Sequence, residues 1–160
     1  MGVPAWLTEE QQSHWRSYVE GSARLQEVRD RELRAAHQLS LAEFEILVWL
    51  SEAPRRRMRM AELAERAFYS PSRLSHAISR LETRGLVGRC ASDDDKRGVY
   101  ACLTEAGQRK VEQAARDNVE VVRRHFVDLM GPDELRTVGQ VFQVVARSIR
   151  ASAGSPAPSE

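Results

Sequence analysis

Long apolar runs, glycine-rich loops and grouped cysteines are all missing from this sequence, and each absence removes a class of protein. No stretch approaches the ~20 apolar residues that a membrane span requires. The opening residues, MGVPAWLTEEQQSHW, turn polar too soon for the apolar core of a signal peptide, so a cytoplasmic protein is expected. Only two cysteines are present, Cys90 and Cys102, without CxxC spacing, which points away from a disulfide scaffold and from zinc. The four histidines, His14, His37, His76 and His125, form no HExxH or His/Cys group at ligand spacing, so neither metal nor cofactor is expected. There is no phosphate-binding glycine loop, no GxSxG elbow and no strand-helix alternation. Acidic groups such as Glu9-Glu10 and Asp93-Asp94-Asp95 read as caps or turn solvation, and an enzyme is not expected.

What is present is an ordinary soluble composition, 42% hydrophobic and 29% charged over 160 residues, which suits one fold without a separate catalytic module. The exception is the segment 151–160, ASAGSPAPSE, whose Ser, Ala and Pro cannot bury enough surface to order it. A net charge of +1 argues, by itself, against nucleic-acid binding. Its distribution reverses the argument. Between Pro54 and Tyr100 there are eleven Lys or Arg against six Asp or Glu, a balance of +5, and the remainder of the chain carries −4. A local basic excess of this kind is what phosphate binding needs.

Periodicity and capping signals place the elements. Trp15, Tyr18, Val19, Leu25, Val28 and Leu33 have helical spacing behind a Thr8/Gln11 capping box, which predicts a long helix from Thr8 to about Ala36. Ser40 and Glu43 form a second box, with Leu39 set to staple onto Phe44, and start a helix over Leu41–Glu52 that is apolar around most of its circumference. Pro54 ends it, and Arg55-Arg56-Arg57 reads as loop. A short helix, Met60–Arg66, precedes a break at Phe68-Tyr69. Ser70 as cap and Pro71 at the first helical position then open a helix that runs to Arg84 and stops at Gly85. Leu86–Cys90 and Val99–Leu103 read as two strands of a hairpin. Thr104 caps a helix expected to reach about Met130, and Gly131-Pro132 precedes a last helix to about Arg150.

The helix from Pro71 to Arg84 buries Leu74, Ala77, Ile78 and Leu81 at i, i+3, i+4 and i+7. Its other face carries Ser72, Arg73, Ser75, His76, Ser79, Arg80 and Thr83, with Glu82 the only acid in the helix. Small hydroxyls allow close approach to phosphates, and an Arg can bond both acceptors of a guanine edge. A solvated surface helix is the plain alternative. A short helix and a tight turn before it, with a hairpin bearing Lys96 and Arg97 after it, favour the nucleic-acid reading.

The stretches LSLAEFEILVWL, MRMAELAERAFYSPSRLSHAISRLETRGLVGR, DDDKRG and LTEAGQ resemble, in order and spacing over Leu39–Gly107, the MarR (multiple antibiotic resistance regulator) family. The resemblance implies a mainly α fold with a small β wing, a winged helix-turn-helix with dimerisation helices at both ends. Residues 1–38 would form the N-terminal dimerisation helix, 39–104 the DNA-binding region and 105–150 the C-terminal dimerisation helices, followed by the disordered tail. It puts Ser70, Ser72, Arg73, Ser75, His76 and Arg80 on the recognition helix, and Arg97 on the wing with Asp95 as the acid that holds it; Lys96, beside Arg97 at the hairpin tip, is a further candidate for DNA contact. The implied protein is a homodimeric transcription regulator on a pseudo-palindromic double-stranded DNA operator, a repressor released by a small aromatic or anionic effector. Trp15, Arg16, Tyr18, Trp49 and Tyr69 are candidates for the effector pocket, against the simpler reading of core packing. Two alternatives are kept: a redox-sensing regulator using Cys90 and Cys102, should the hairpin register set them opposite one another, and a winged-helix module that binds protein.

Overall fold

The computed structural model describes residues 6–91 and 99–153. In chain order the elements are α1 (Glu9–His37), α2 (Leu41–Glu52), β1 (Arg57–Arg59), α3 (Met60–Arg66), α4 (Pro71–Thr83), β2 (Val87–Ala91), β3 (Val99–Leu103), α5 (Glu105–His125) and α6 (Pro132–Ala153). Short 3₁₀ turns occupy Pro54–Arg56 and Val127–Leu129. The chain divides into two compact units, residues 1–121 and 122–160.

Both predicted capping boxes form. Thr8 Oγ1 accepts from the Gln11 N–H at 3.2 Å while Gln11 Oε1 accepts from the Thr8 N–H at 2.9 Å. Ser40 and Glu43 exchange the same pair of bonds at 3.2 and 3.0 Å. The second box decides where the core begins, because α2 lies inside it: Ile46, Leu47 and Leu50 are fully buried, as are Leu39 before it and Leu63, Leu74, Ile78 and Leu81 on the helices around it. Truncating any of these leucines or isoleucines to alanine removes packing on the order of 2–5 kcal/mol.

One strand escapes the sequence reading. Arg55 and Arg56, expected as loop, adopt left-handed conformations, φ 56° and 52°, and turn the chain so that β1 pairs with β3. The sheet is antiparallel with order β1-β3-β2. Alternation sorts its faces. Met58, Val87, Ala101 and Leu103 are buried against the helices, whereas Arg57, Arg59, Cys90, Tyr100 and Cys102 share the outer face. The hairpin strand expected at Leu86–Cys90 is shifted by one residue to Val87–Ala91. Helix α5 stops at His125, short of the expected Met130, because Phe126 leaves helical backbone at φ −143° and a 3₁₀ turn follows. Helix α6 runs to Ala153, so the first three residues of the segment expected as a tail are helical.

The start of α5 is fastened to the end of α4. Gly85, at φ 68°, supplies the left-handed residue that ends the helix. Thr104 Oγ1 donates to the Gly85 carbonyl at 2.8 Å and accepts from the Gly107 N–H at 2.9 Å, and the Thr104 N–H reaches the Leu86 carbonyl at 3.1 Å. Gly107 is buried where a Cβ would strike the Leu86 carbonyl and the Leu103 side chain. Gly107→Ala is therefore expected to lower stability by about 1–3 kcal/mol despite the higher helix propensity of alanine, measurable by urea denaturation. An unchanged or raised midpoint would show that the backbone contact yields without cost.

Candidate nucleic-acid interface

Helix α4 presents the expected two faces. Leu74, Ala77, Ile78 and Leu81 are buried, and Ser72, Arg73, Ser75, His76, Ser79 and Arg80 are exposed. Ser70 acts as the cap, accepting from the Arg73 N–H at 3.3 Å. The Arg73 guanidinium lies over the Tyr69 ring, 4.2 Å from its centroid, which holds its planar fork at the first turn of the helix while leaving the residue exposed. A helix N-terminus with an oriented guanidinium and several hydroxyls is suited to phosphate and base-edge acceptors.

Arg80 is placed differently from its neighbours. Its Nε donates to Oε1 of Glu43 at 2.9 Å, and Arg84 approaches the other oxygen of the same carboxylate at 3.7 Å. Glu43 is only 7% exposed. Burial pushes its carboxyl upward, but the Arg80 bond, the two bonds shared with Ser40 and the Arg80 charge outweigh that, so its pKa lies below the ordinary value. Glu43 thus caps α2 and ties α4 to it. Arg80 remains 58% exposed at its side chain, so its outer edge still faces solvent.

A second tie joins the sheet to α4. Arg89 of β2 donates to Glu82 at 3.2 Å and to Ser79 at 3.5 Å. On the outer face of the sheet, Arg57 and Arg59 lie 5.5 and 5.4 Å from the Tyr100 centroid, and Arg59 Nε donates to the Tyr100 hydroxyl at 2.9 Å. Sequence reasoning passed over Glu43, Arg57, Arg59, Arg84 and Arg89 as site residues. The +5 balance of the segment flagged the four arginines collectively, but their individual roles depend on pairings across the fold. Lys96, Arg97 and Asp95 lie outside the described residues.

The candidates for an effector pocket fall into separate places. Trp15 and Tyr18 pack on one another at 5.4 Å on the exposed first half of α1, where Arg16 reaches Gln12. Tyr69 instead lines a cleft of about 730 Å³ with Asp30, Arg34, Arg73 and His76, between the end of α1, the start of α2 and α4. Trp49, with Arg66 5.7 Å from its centroid, lines another cleft of about 580 Å³ with Arg29, Phe68 and Asn118. Among the described residues no group of three or more His, Cys, Asp or Glu is arranged to hold a metal ion.

A short helix, a tight turn, an acid-poor exposed helix and a sheet whose hairpin follows directly define a winged helix-turn-helix protein. The pattern of the MarR family matches residues 37–98. Among solved structures, Sco3205 of Streptomyces coelicolor, a MarR family transcriptional regulator in complex with DNA, is 39% identical, with 92% of each chain covered and a TM-score of 0.88. AbsC, another MarR family transcriptional regulator of Streptomyces coelicolor, is 38% identical over 92% of this chain and 99% of its own, with a TM-score of 0.87. The uncharacterized HTH-type transcriptional regulator YfiV of Bacillus subtilis is 23% identical over 69% of this chain and 68% of that protein. The chain belongs to the MarR family.

The Glu43 node yields a pH dependence with a definite sign. A carboxyl whose folded pKa is below its unfolded value of 4.5 contributes stability that is complete above that value and is lost as pH falls through the folded pKa. Unfolding free energy is therefore expected to decline with acidification below about pH 5, and Glu43→Gln should flatten that decline while lowering stability at neutral pH. Urea titrations across this range decide it: an identical acid slope in both proteins would rule Glu43 out as a source.

Proposed function

We propose that this DNA-binding transcription regulator works as a two-fold homodimer that lays α4 of each copy into the major groove of a pseudo-palindromic operator and represses until a small effector releases it. The observation that carries the reading is the outer face of α4, free of acid through its first three turns, with Arg73 set by Tyr69 at the end that enters a groove. The DNA seen bound to Sco3205 supports the same use of the fold. A second copy is the natural cover for the exposed apolar residues Trp15 and Val19 of α1 and, separately, Val141, Val144, Val145 and Ile149 of α6. Under this reading α1, α5 and α6 serve dimerisation and residues 39–104 read DNA, with Ser70, Ser72, Ser75, His76 and Arg80 joining Arg73 at the groove and Lys96 and Arg97 reaching it from the wing.

Gel retardation of the region upstream of its own gene tests the reading. Arg73→Ala should weaken binding by about 1–3 kcal/mol and relax sequence preference, and binding should fall steeply with added salt. Equal affinity for operator and random duplex would overturn it.

The effector is assigned to the cleft beside α4, lined by Arg34, Arg73, His76 and Tyr69 together with the Asp30 and Glu45 carboxylates, where the arginines and the histidine offer donors to a small aromatic anion. A molecule seated there bears on the same Arg73 that meets DNA, which gives it different affinities for the bound and free forms. Benzoate at millimolar concentration is expected to weaken operator binding of the natural protein and to have little effect on Arg34→Ala. Release that is unaffected by the substitution would remove the cleft from consideration.

A further inference from the structure

The cysteines are not cross-strand partners. Cys90 faces Tyr100 and Cys102 faces Gly88, so the two sit diagonally, on the outer face of the sheet, with Cα atoms 6.2 Å apart and their sulfurs joined in a disulfide. The register gives Cys102 two distinct neighbours. On one side is Arg57 of β1, a cation on the same outer face whose guanidinium lies 5.5 Å from the Tyr100 ring centroid; a nearby cation is what makes a thiol reactive. On the other is Gly88, which has no side chain, and a Cβ built there meets nothing within 4 Å. Cys102 thus combines a cationic cross-strand neighbour with an open approach, and a second sulfur stands within reach to resolve it. Neither cysteine is in the buried core, where a structural thiol would be inert; both are half-buried.

We propose that Cys90 and Cys102 are a reversible modification site, closed to a disulfide by a hydroperoxide and reopened by a dithiol, that sets how firmly the winged head holds DNA. The effect on DNA rests on the function proposed above; the sulfur chemistry does not. The Cys102 thiolate attacks the terminal peroxide oxygen, the O–O bond breaks, and the leaving alkoxide takes up the proton that the thiol released. The resulting sulfenic acid is attacked by Cys90: an S–S bond forms, the S–O bond breaks, and the hydroxyl leaves as water with the Cys90 proton. Two thiols and one hydroperoxide become a disulfide, an alcohol and water, two electrons passing from sulfur to peroxide. A dithiol reverses this by attacking the disulfide through a mixed disulfide and leaving oxidised itself. The closed bond fixes β2 against β3, so the closed form has less freedom to lose on docking and binds DNA more tightly.

The test uses the full chain, treated with hydrogen peroxide or with dithiothreitol. Intact mass after alkylation should show no labelled cysteine in the first state and two in the second, over repeated cycles, and digestion should give a Cys90–Cys102 crosslinked peptide. In a Cys90→Ser background, Arg57→Gln should slow alkylation of Cys102. Retardation of the upstream DNA should be on the order of threefold to tenfold tighter for the peroxide-treated protein, with Cys90→Ser and Cys102→Ser indifferent to treatment. Absence of the crosslink, or a crosslink that dithiothreitol leaves intact, overturns the site. Equal DNA affinity in the two states overturns its regulatory role while the DNA reading stands. Failure of both states to bind any duplex defeats the DNA reading and the regulatory role together, and the mass data still decide the sulfur chemistry.

Discussion

A carboxylate inside the core must be matched by donors and cations or it unfolds what surrounds it, and Glu43 is the point at which this protein meets that demand. Its position at the third residue of α2 lets one side chain close the capping box with Ser40 and still reach Arg80 of α4 and Arg84 at the end of that helix, 37 and 41 positions later. Removing one partner strands the others, so α2 and α4 are held in one relation. From α2 the chain of ties continues to α1, where one Asp30 oxygen accepts the Leu41 N–H at 2.8 Å and the other pairs with Arg34, and the Arg34 bond, the Leu41 bond and the Arg34 charge together hold the Asp30 carboxyl below its ordinary value against the effect of burial. The orientation of α4 is therefore tied to the long helix through two carboxylates.

This arrangement divides the basic residues of α4 by role. Arg80 and Arg84 both hold Glu43, Arg80 keeping an exposed outer edge, and Arg73, stacked on Tyr69, stands exposed at the N-terminal end. Arg89 does for the sheet what Arg80 does for α2, binding Glu82 and so fixing β2 to the same helix. A basic segment with a +5 balance is thus only partly an electrostatic surface. The cleft that Arg34, Arg73 and His76 line adjoins these ties, since Asp30 and Arg80 line it too.

What the sequence disclosed was what depends on neighbours a few residues away. Caps at Thr8, Ser40 and Ser70, the stripe of Leu74 to Leu81 and the stop at Gly85 are local chemistry, and the helices stand where those signals put them. Strand β1 was hidden because three residues, Arg57-Met58-Arg59, carry too short an alternation to stand out, and their pairing partner lies more than forty positions away. The same distance concealed the role of Glu43: it was visible as a cap, while its bond to Arg80 required the fold. The cysteines show the limit of register reasoning, since opposition was one register the hairpin allowed and the ladder places them on a diagonal. Trp15 and Trp49 are both candidates for one pocket by the family resemblance, yet α1 sets the first on an open face remote in sequence from the α1 residues beside the second.

Two copies of α4 on one duplex is the central claim, and the sequences that the protein selects from a random double-stranded library test it most directly. The account predicts an enriched motif with two-fold symmetry whose half-sites are centred about one helical turn, roughly 10 base pairs, apart. An enriched single half-site without a symmetric mate, or no enrichment above the starting library, would contradict it.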